Sequence, residues 1–329
     1  MKNRILSGMR PTGKLHLGHL VGALDNWVKL QDSYECFFMI ADWHALMSEY
    51  ESPSVILESI QDNLVDWLAA GIDPEKSIIF IQSEVPQHLE LYMVLSCLTP
   101  LGWLERCPTY KEQLRQLQDR NIKTYGFLGY PVLQAADILL YKANKVPVGE
   151  DQLPHLELTR EIARRFNNLY NKNVFPDPQA LLTCMPRLLG LDGRKMSKSF
   201  NNTINLSDSP SIIKKKIQNM FTDPKRVRLA DSGHPDECNV FSYYKVFAPD
   251  KEREVHNWCK KAQKGCTECK MIFAEALIAR LKIHRERRKA WINDKTLLKK
   301  IINQGCRKAT AVASQTLKQI RQIMGISLE

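Results

Sequence analysis

At 329 residues, 44% hydrophobic and 25% charged, the chain has the composition of a folded globular protein long enough for two domains, which excludes a low-complexity polymer and a disulfide-stapled miniprotein. No stretch is apolar for long enough to span a membrane and no charged-then-apolar-then-small leader opens the sequence, so no membrane partner is expected and a cytoplasmic location is. The formal net charge of +11 is uneven: residues 201–329 hold 26 Lys/Arg against 13 Asp/Glu, so the basic surface belongs to the C-terminal part.

In chain order, Arg4-Ile5-Leu6-Ser7-Gly8 reads as a short strand, Pro11-Thr12-Gly13 as a turn, and the spacing of Leu20, Val21, Leu24 and Val28 as a helix. Between turn and helix lies His16-Leu17-Gly18-His19. Small residues let backbone approach a ligand, N–H groups at a helix start attract phosphate oxygens, and imidazoles can donate to developing phosphate charge, so His16 and His19 are candidate phosphate ligands. Apolar runs at Glu35 to Ala41 and Ser77 to Gln82 read as strands, with an amphipathic helix between them at Val55, Ile56, Ile60, Leu64, Trp67 and Leu68. This alternation predicts an α/β, doubly wound parallel sheet of Rossmann-like type. Ligands in that architecture bind at the carboxyl ends of the strands, where Ser7-Gly8-Met9-Arg10, Asp42 with His44, and Gly149-Glu150-Asp151 would emerge. Residues 89–121 read as an insertion between strands, with a polar helix-like stretch from Tyr110 to Arg120.

Further on, Tyr130 to Tyr141 is an apolar helical run that contains Asp137, and an acid among Leu, Ala and Ile is expected to be paired or functional. The segment Leu191-Asp192-Gly193-Arg194 looks like an exposed turn and leads into Lys195-Met196-Ser197-Lys198-Ser199. A mobile loop with two lysines three residues apart can close on a polyphosphate, where compact positive charge suits a pyrophosphate leaving group. After Lys198 the pattern turns helical, over Ile204 to Met220 and again at Phe273, Leu277, Leu281 and His284. The basic runs Lys214-Lys215-Lys216 and Arg285-Glu286-Arg287-Arg288-Lys289, in so basic a half, predict a nucleic-acid backbone as partner.

Nine cysteines in an expected cytoplasmic chain need a role other than disulfides. Cys36, Cys97, Cys107, Cys184 and Cys306 are scattered and read as small buried hydrophobes. Cys238, Cys259, Cys266 and Cys269 are grouped in the basic helical part, one close pair joined by two separately spaced thiols. That pattern suggests a metal centre, and spacing leaves zinc and an iron–sulfur cluster both open.

The ordered pair of motifs resembles the class I aminoacyl-tRNA synthetases. The run from Tyr130 to Tyr141, followed by Val146-Pro147-Val148-Gly149-Glu150-Asp151-Gln152 and His155-Leu156-Glu157-Leu158-Thr159-Arg160, is similar to their bacterial tryptophan branch. The resemblance runs from Ile5 into the C-terminal helices. It implies activation of L-tryptophan with ATP and Mg²⁺ to tryptophanyl-adenylate, transfer to tRNA(Trp), and a homodimer. It also implies residue roles. His16, His19, Lys195 and Lys198 would stabilise phosphate charge. Arg10, Pro11, Thr12 and Gly18 would lie along ATP, Gly149, Glu150 and Asp151 would hold its ribose, Leu188 with Met196 would flank adenine, and Ser197 and Ser199 complete the loop. Asp137 would accept the indole N–H, with Tyr130, Gln152 and His44 around the amino acid. Some members of the branch hold a 4Fe-4S cluster on a similar set of four cysteines, which favours the cluster over zinc. The expected division is residues 1–200 as catalytic domain and 201–329 as helical anticodon-binding domain, with the last helices, from about Asn293, able to pack back on the first. A catalytically inactive RNA-binding descendant and a tyrosine-specific enzyme are the alternatives.

Overall fold

The computed structural model describes residues 2–108, 110–111, 114, 121–182, 188–194, 196 and 201–326. Five strands, β1 (Arg4–Met9), β2 (Glu35–Ile40), β3 (Ser77–Ile81), β4 (Lys145–Val148) and β5 (Gln179–Leu182), form one parallel sheet in the order β3-β2-β1-β4-β5. The chain moves outward from β1 through β2 to β3 and then returns to the far side of β1 for β4. The boundary between β1 and β4 is therefore the switch point, where loops leaving the carboxyl ends diverge and open a crevice. The doubly wound sheet expected from the alternation is present.

Contact density divides the chain into two compact units, one of Met1–Gly13, Asp25–Thr183 and Ile292–Glu329, the other of Lys14–Leu24 and Cys184–Trp291. In the first, β2 reads ECFFMI with five of six residues buried, the near-continuous apolar run of a strand covered on both faces. Trp27 stacks on Phe38 with ring centres 4.5 Å apart, and Trp67 meets Trp27 edge-on. Helix Tyr125–Leu140 starts where Thr124 Oγ1 accepts from Phe127 N–H at 3.2 Å, and twelve of its residues are buried. Its Tyr130 and Asp137 are seven residues apart, and Tyr141 follows four later, so all three line one face. Helices Gln87–Leu98 and Leu101–Arg106 occupy the start of the expected insertion, while most of Tyr110 to Arg120 lies outside the described residues. The long helix Lys295–Met324 packs along β3. Gly305 makes that possible, because a Cβ there would collide with the carbonyl of Ile79.

The second unit is mostly helical, with Pro210–Gln218, Asn239–Phe247, Glu252–Lys260, Cys266–Arg280 and Lys282–Ile292 around Ile213, Ile217, Tyr243, Tyr244, Phe273 and Leu277. The segment Lys14–Leu24 joins it through Leu17 N–H to Ile204 O at 3.0 Å and Leu206 N–H to Leu15 O at 2.9 Å. The helix expected from Leu20 opens with a π-wound turn, Leu20–Leu24, before the α-helix Asp25–Leu30. One cysteine departs from expectation. Cys36, Cys107 and Cys306 are buried, but Cys97 is exposed, because it falls on the solvent side of Gln87–Leu98, whose inner face is held by Leu91 and Leu95. Cys184 lies outside the described residues.

Candidate active site

In the first unit, Asp137 is the centre of a closed polar network. Its carboxylate is buried with 2% exposure. Oδ1 accepts from His88 Nδ1 at 2.6 Å and from Gln82 Nε2 at 2.8 Å, while Oδ2 pairs with His44 Nε2 at 2.9 Å. Burial alone would push the carboxyl up, but the hydrogen bonds and charges of His44 and His88 outweigh burial and hold it below the ordinary carboxylate range. Three elements supply these partners: His44 from helix Asp42–Glu49, Gln82 from the end of β3, and His88 from Gln87–Leu98. Asp42 ties the first two together, since its Oδ1 accepts from Ser83 N–H at 2.9 Å and from Trp43 N–H at 3.1 Å. A buried carboxylate without such partners would cost several kcal/mol, so this set keeps an anion in an apolar wall, ready for a ligand N–H. Gln82 and His88 were missed in the sequence. The available signal was position, because Gln82 directly follows a strand whose carboxyl end faces the crevice.

Two turns earlier on the same helix face, Tyr130 is buried and its hydroxyl lies 2.8 Å from His155 Nε2, while His155 Nδ1 is 3.6 Å from Cys107 Sγ. Burial drops the His155 pKa to about 4, so the ring is neutral near pH 7. Gly149 opens the short turn Glu150–Gln152, whose Glu150 and Asp151 are exposed, and Gln152 Nε2 donates to Asp151 Oδ2 at 3.0 Å. Arg10 is exposed just beyond β1, Pro11 is buried, and Thr12 N–H donates to Arg10 O at 2.9 Å. The strand ends thus bring Arg10 to Thr12 and Gly149 to Gln152 to the switch point, and Asp137, His44 and the unpredicted Gln82 and His88 into direct contact.

In the second unit, His16 and His19 cap each other's backbone. Gly18 N–H donates to His16 Nδ1, and His16 N–H donates to His19 Nδ1, both at 3.1 Å. Because each Nδ1 accepts, the neutral rings carry their proton on Nε2, a donor of the kind phosphate takes. Leu188 is buried and Met196 half-buried. The loop base is pinned by Leu191 N–H to Asn202 O at 2.8 Å, and Asp192 takes Asn202 Nδ2 at 2.8 Å and Arg194 Nε at 2.8 Å. Hydrogen bonds from Asn202, then Arg194, hold the Asp192 carboxyl down to about 2. Lys195, Ser197, Lys198 and Ser199 lie outside the described residues.

The four grouped cysteines line one small cavity of ≈ 20 Å³, together with Asp223, Arg226, Trp258 and Lys264. Burial, followed by the charge of Cys238, pushes the Cys269 thiol up to about 12, and the same two causes raise Cys259. Four thiolates can share this space only around a cationic centre. Gly233 approaches so closely that a Cβ there would strike Cys259 Sγ. Among the described residues, however, no three His, Cys, Asp or Glu side chains are placed around a single metal ion. The donor set therefore suits a metal group, but a preformed one-ion site is not what it presents.

The family pattern described as "tRNA synthetases class I (W and Y)" matches residues 1–282. The tryptophan--tRNA ligase of Thermotoga maritima is 49% identical over 326 residues, covering 98% of this chain and 99% of that protein. That of Ralstonia nicotianae is 43% identical, covering 98% of each. Among solved structures, tryptophanyl-tRNA synthetase from Campylobacter jejuni, complexed with ADP and tryptophan, is similar with a TM-score of 0.87 at 34% identity, covering 98% of this chain and 99% of that one.

Proposed function

The chain belongs to the class I tRNA synthetases, in their tryptophan branch, and we propose that it activates L-tryptophan with ATP to tryptophanyl-adenylate and transfers the amino acid to tRNA(Trp). The observation that carries the substrate assignment is Asp137, a buried and ionised carboxylate held by Gln82, His88 and His44. A ligand whose indole N–H takes the place of His44 keeps Oδ2 paired, whereas one that displaces His44 without offering an N–H leaves that oxygen bare, which is a strong basis for selection. Tyr130, backed by His155, and Gln152 take the ammonium group.

No covalent nucleophile is required. The tryptophan carboxylate attacks the α-phosphorus of ATP, and pyrophosphate leaves. Positioning and electrostatic stabilisation supply the rate, with His16 and His19 donating from Nε2–H and Lys195 and Lys198 neutralising the leaving group. Arg10, Pro11, Thr12 and Gly18 lie along the triphosphate, and Gly149, Glu150 and Asp151 hold the ribose. Leu188 and Met196 flank adenine, and Ser197 and Ser199 shape the loop. Mg²⁺ supplies charge neutralisation on the polyphosphate. Tryptophan-dependent exchange of pyrophosphate into ATP tests this reading. Exchange with tryptophan and none with tyrosine supports it, whereas equal exchange with tyrosine sinks the specificity and none with either sinks the activity.

The basic helices of residues 201–329 take the tRNA anticodon region, with residues 1–200 as the catalytic part, except for the last helix, Lys295–Met324, which packs along β3. Cys238, Cys259, Cys266 and Cys269 hold a 4Fe-4S cluster. The four thiols line one cavity, which supports a shared metal group, and the resemblance of the set to that of cluster-bearing members favours 4Fe-4S over zinc. Arg226 and Lys264 beside the thiols would offset the negative charge of a thiolate-bound centre. A homodimer, implied by the resemblance, belongs to this reading. No helix among the described residues is long and apolar enough to cross a membrane, and a cytoplasmic site of action belongs to this reading.

A further inference from the structure

Asp137 is held differently on its two sides. Oδ1 has two donors, His88 and Gln82, and both belong to fully buried side chains. Oδ2 meets His44, whose side chain keeps 12% exposure.

His88 is itself fixed. Its Nε2 lies 2.8 Å from the hydroxyl of Tyr141, one turn beyond Asp137. Tyr141 is fully buried, stacked on Phe37 at 4.6 Å and edge-on to Phe80 at 5.4 Å. A phenol in such a place keeps its proton, since burial raises its pKa well above the ordinary value. The Tyr141 hydroxyl and Nε2 share a hydrogen bond that holds the ring with Nδ1 facing Oδ1 of Asp137. The Gln82 amide is oriented as well, because its Oε1 accepts from His44 N–H at 3.4 Å, which turns Nε2 toward Asp137.

We propose that His88, oriented by Tyr141, is a positioning residue for tryptophan selection: with Gln82 it locks Oδ1 so that Oδ2, on the His44 side, is presented as the acceptor of the indole N–H. This rests on the reading of Asp137 as that acceptor. With Oδ1 doubly held, the carboxylate cannot rotate about its terminal bond, and His44 is the partner that a ligand N–H replaces. Loss of the His88 donor frees the rotation and removes the directionality that discriminates between ligands.

The test uses the full-length protein with Mg-ATP and compares pyrophosphate exchange for tryptophan and for 3-benzothienyl-alanine, in which sulfur replaces the indole N–H. His88→Leu is expected to lower kcat/KM for tryptophan about 30-fold, chiefly through KM, while changing the analogue less than about threefold. His88→Asn, which retains a donor near the Nδ1 position, should recover most of that loss, and Tyr141→Phe should lose about threefold to tenfold in the same direction. Equal losses for tryptophan and analogue, or an Asn variant no better than Leu, overturn the proposal. If His88→Leu does not fold, Tyr141→Phe decides by the same ratio. Asp137→Ala separates the two levels: if it abolishes discrimination while the His88 variants do not, the acceptor reading stands and the positioning role falls. If it leaves discrimination intact, the acceptor reading itself falls.

Discussion

Two polar clusters in this molecule differ in whether they close. Around Asp137 every partner is complementary: one carboxylate, two imidazoles and an amide, with a tyrosine behind them, complete one another's hydrogen bonds without a ligand. Around the cysteine cavity like gathers with like, and burial with mutual repulsion raises the thiols. The first cluster is preorganised, as the proposed selection of tryptophan requires. The second gathers like groups and, on the proposed reading, would gain order from a bound metal group. A closed network should respond to mutation through ligand affinity, an open one through loss of its bound group.

The largest effect that bears on this contrast lies outside both clusters. Lys195→Ala should lower adenylate formation by about 10²- to 10³-fold, because it removes charge that matters only as pyrophosphate leaves, while tryptophan affinity stays within about twofold. A parallel loss of affinity, measured by calorimetry, would show that the tryptophan pocket is not preassembled. Next, Cys269→Ser should remove iron and visible absorption from anaerobically purified protein and cut tRNA charging about tenfold or more, with pyrophosphate exchange unchanged. Colourless wild-type protein that binds zinc would move the second cluster to a one-ion site.

A smaller effect is pH dependence within the first unit. The His155 pKa is lowered on folding, to about 4 from the ordinary 6.5, so its contribution to stability is complete above pH 6.5 and is lost as pH falls through about 4. Chemical denaturation of the wild type should show a loss on the order of 3 kcal/mol across that window, and His155→Gln should flatten it. Asp137 acts with the same sign over a lower window: its pKa is also depressed, so its share is present above about pH 4 and declines below it. The smallest effect is expected at the surface, where Arg321 Nε meets Glu90 Oε1 at 2.6 Å with half of the arginine side chain exposed. Arg321→Ala should leave the denaturation midpoint almost unchanged in the same assay.

The sequence made the scaffold readable because β2 and β3 are apolar runs and Ser54–Ala70 has helical spacing, signals that lie within a few neighbouring residues. Asp137 was readable because an acid among Leu, Ala and Ile needs a reason. Its partners were harder to read, since His44, Gln82 and His88 reach it from three separate elements; His44 was singled out near the end of β2, Gln82 carried the same positional signal at the end of β3, and His88 carried none. The exposure of Cys97 was equally hidden, because it depends on which face of Gln87–Leu98 turns inward. The gathering of four cysteines from across the helical unit could be suspected from spacing, but the lack of a one-ion arrangement could not.

The central claim is that the Asp137 carboxylate selects tryptophan, and calorimetric titration of tryptophan into Asp137→Ala and wild-type protein tests it most directly. The account predicts about 100-fold weaker tryptophan binding in the variant with ATP affinity within about twofold of wild type. Unchanged tryptophan affinity would contradict it.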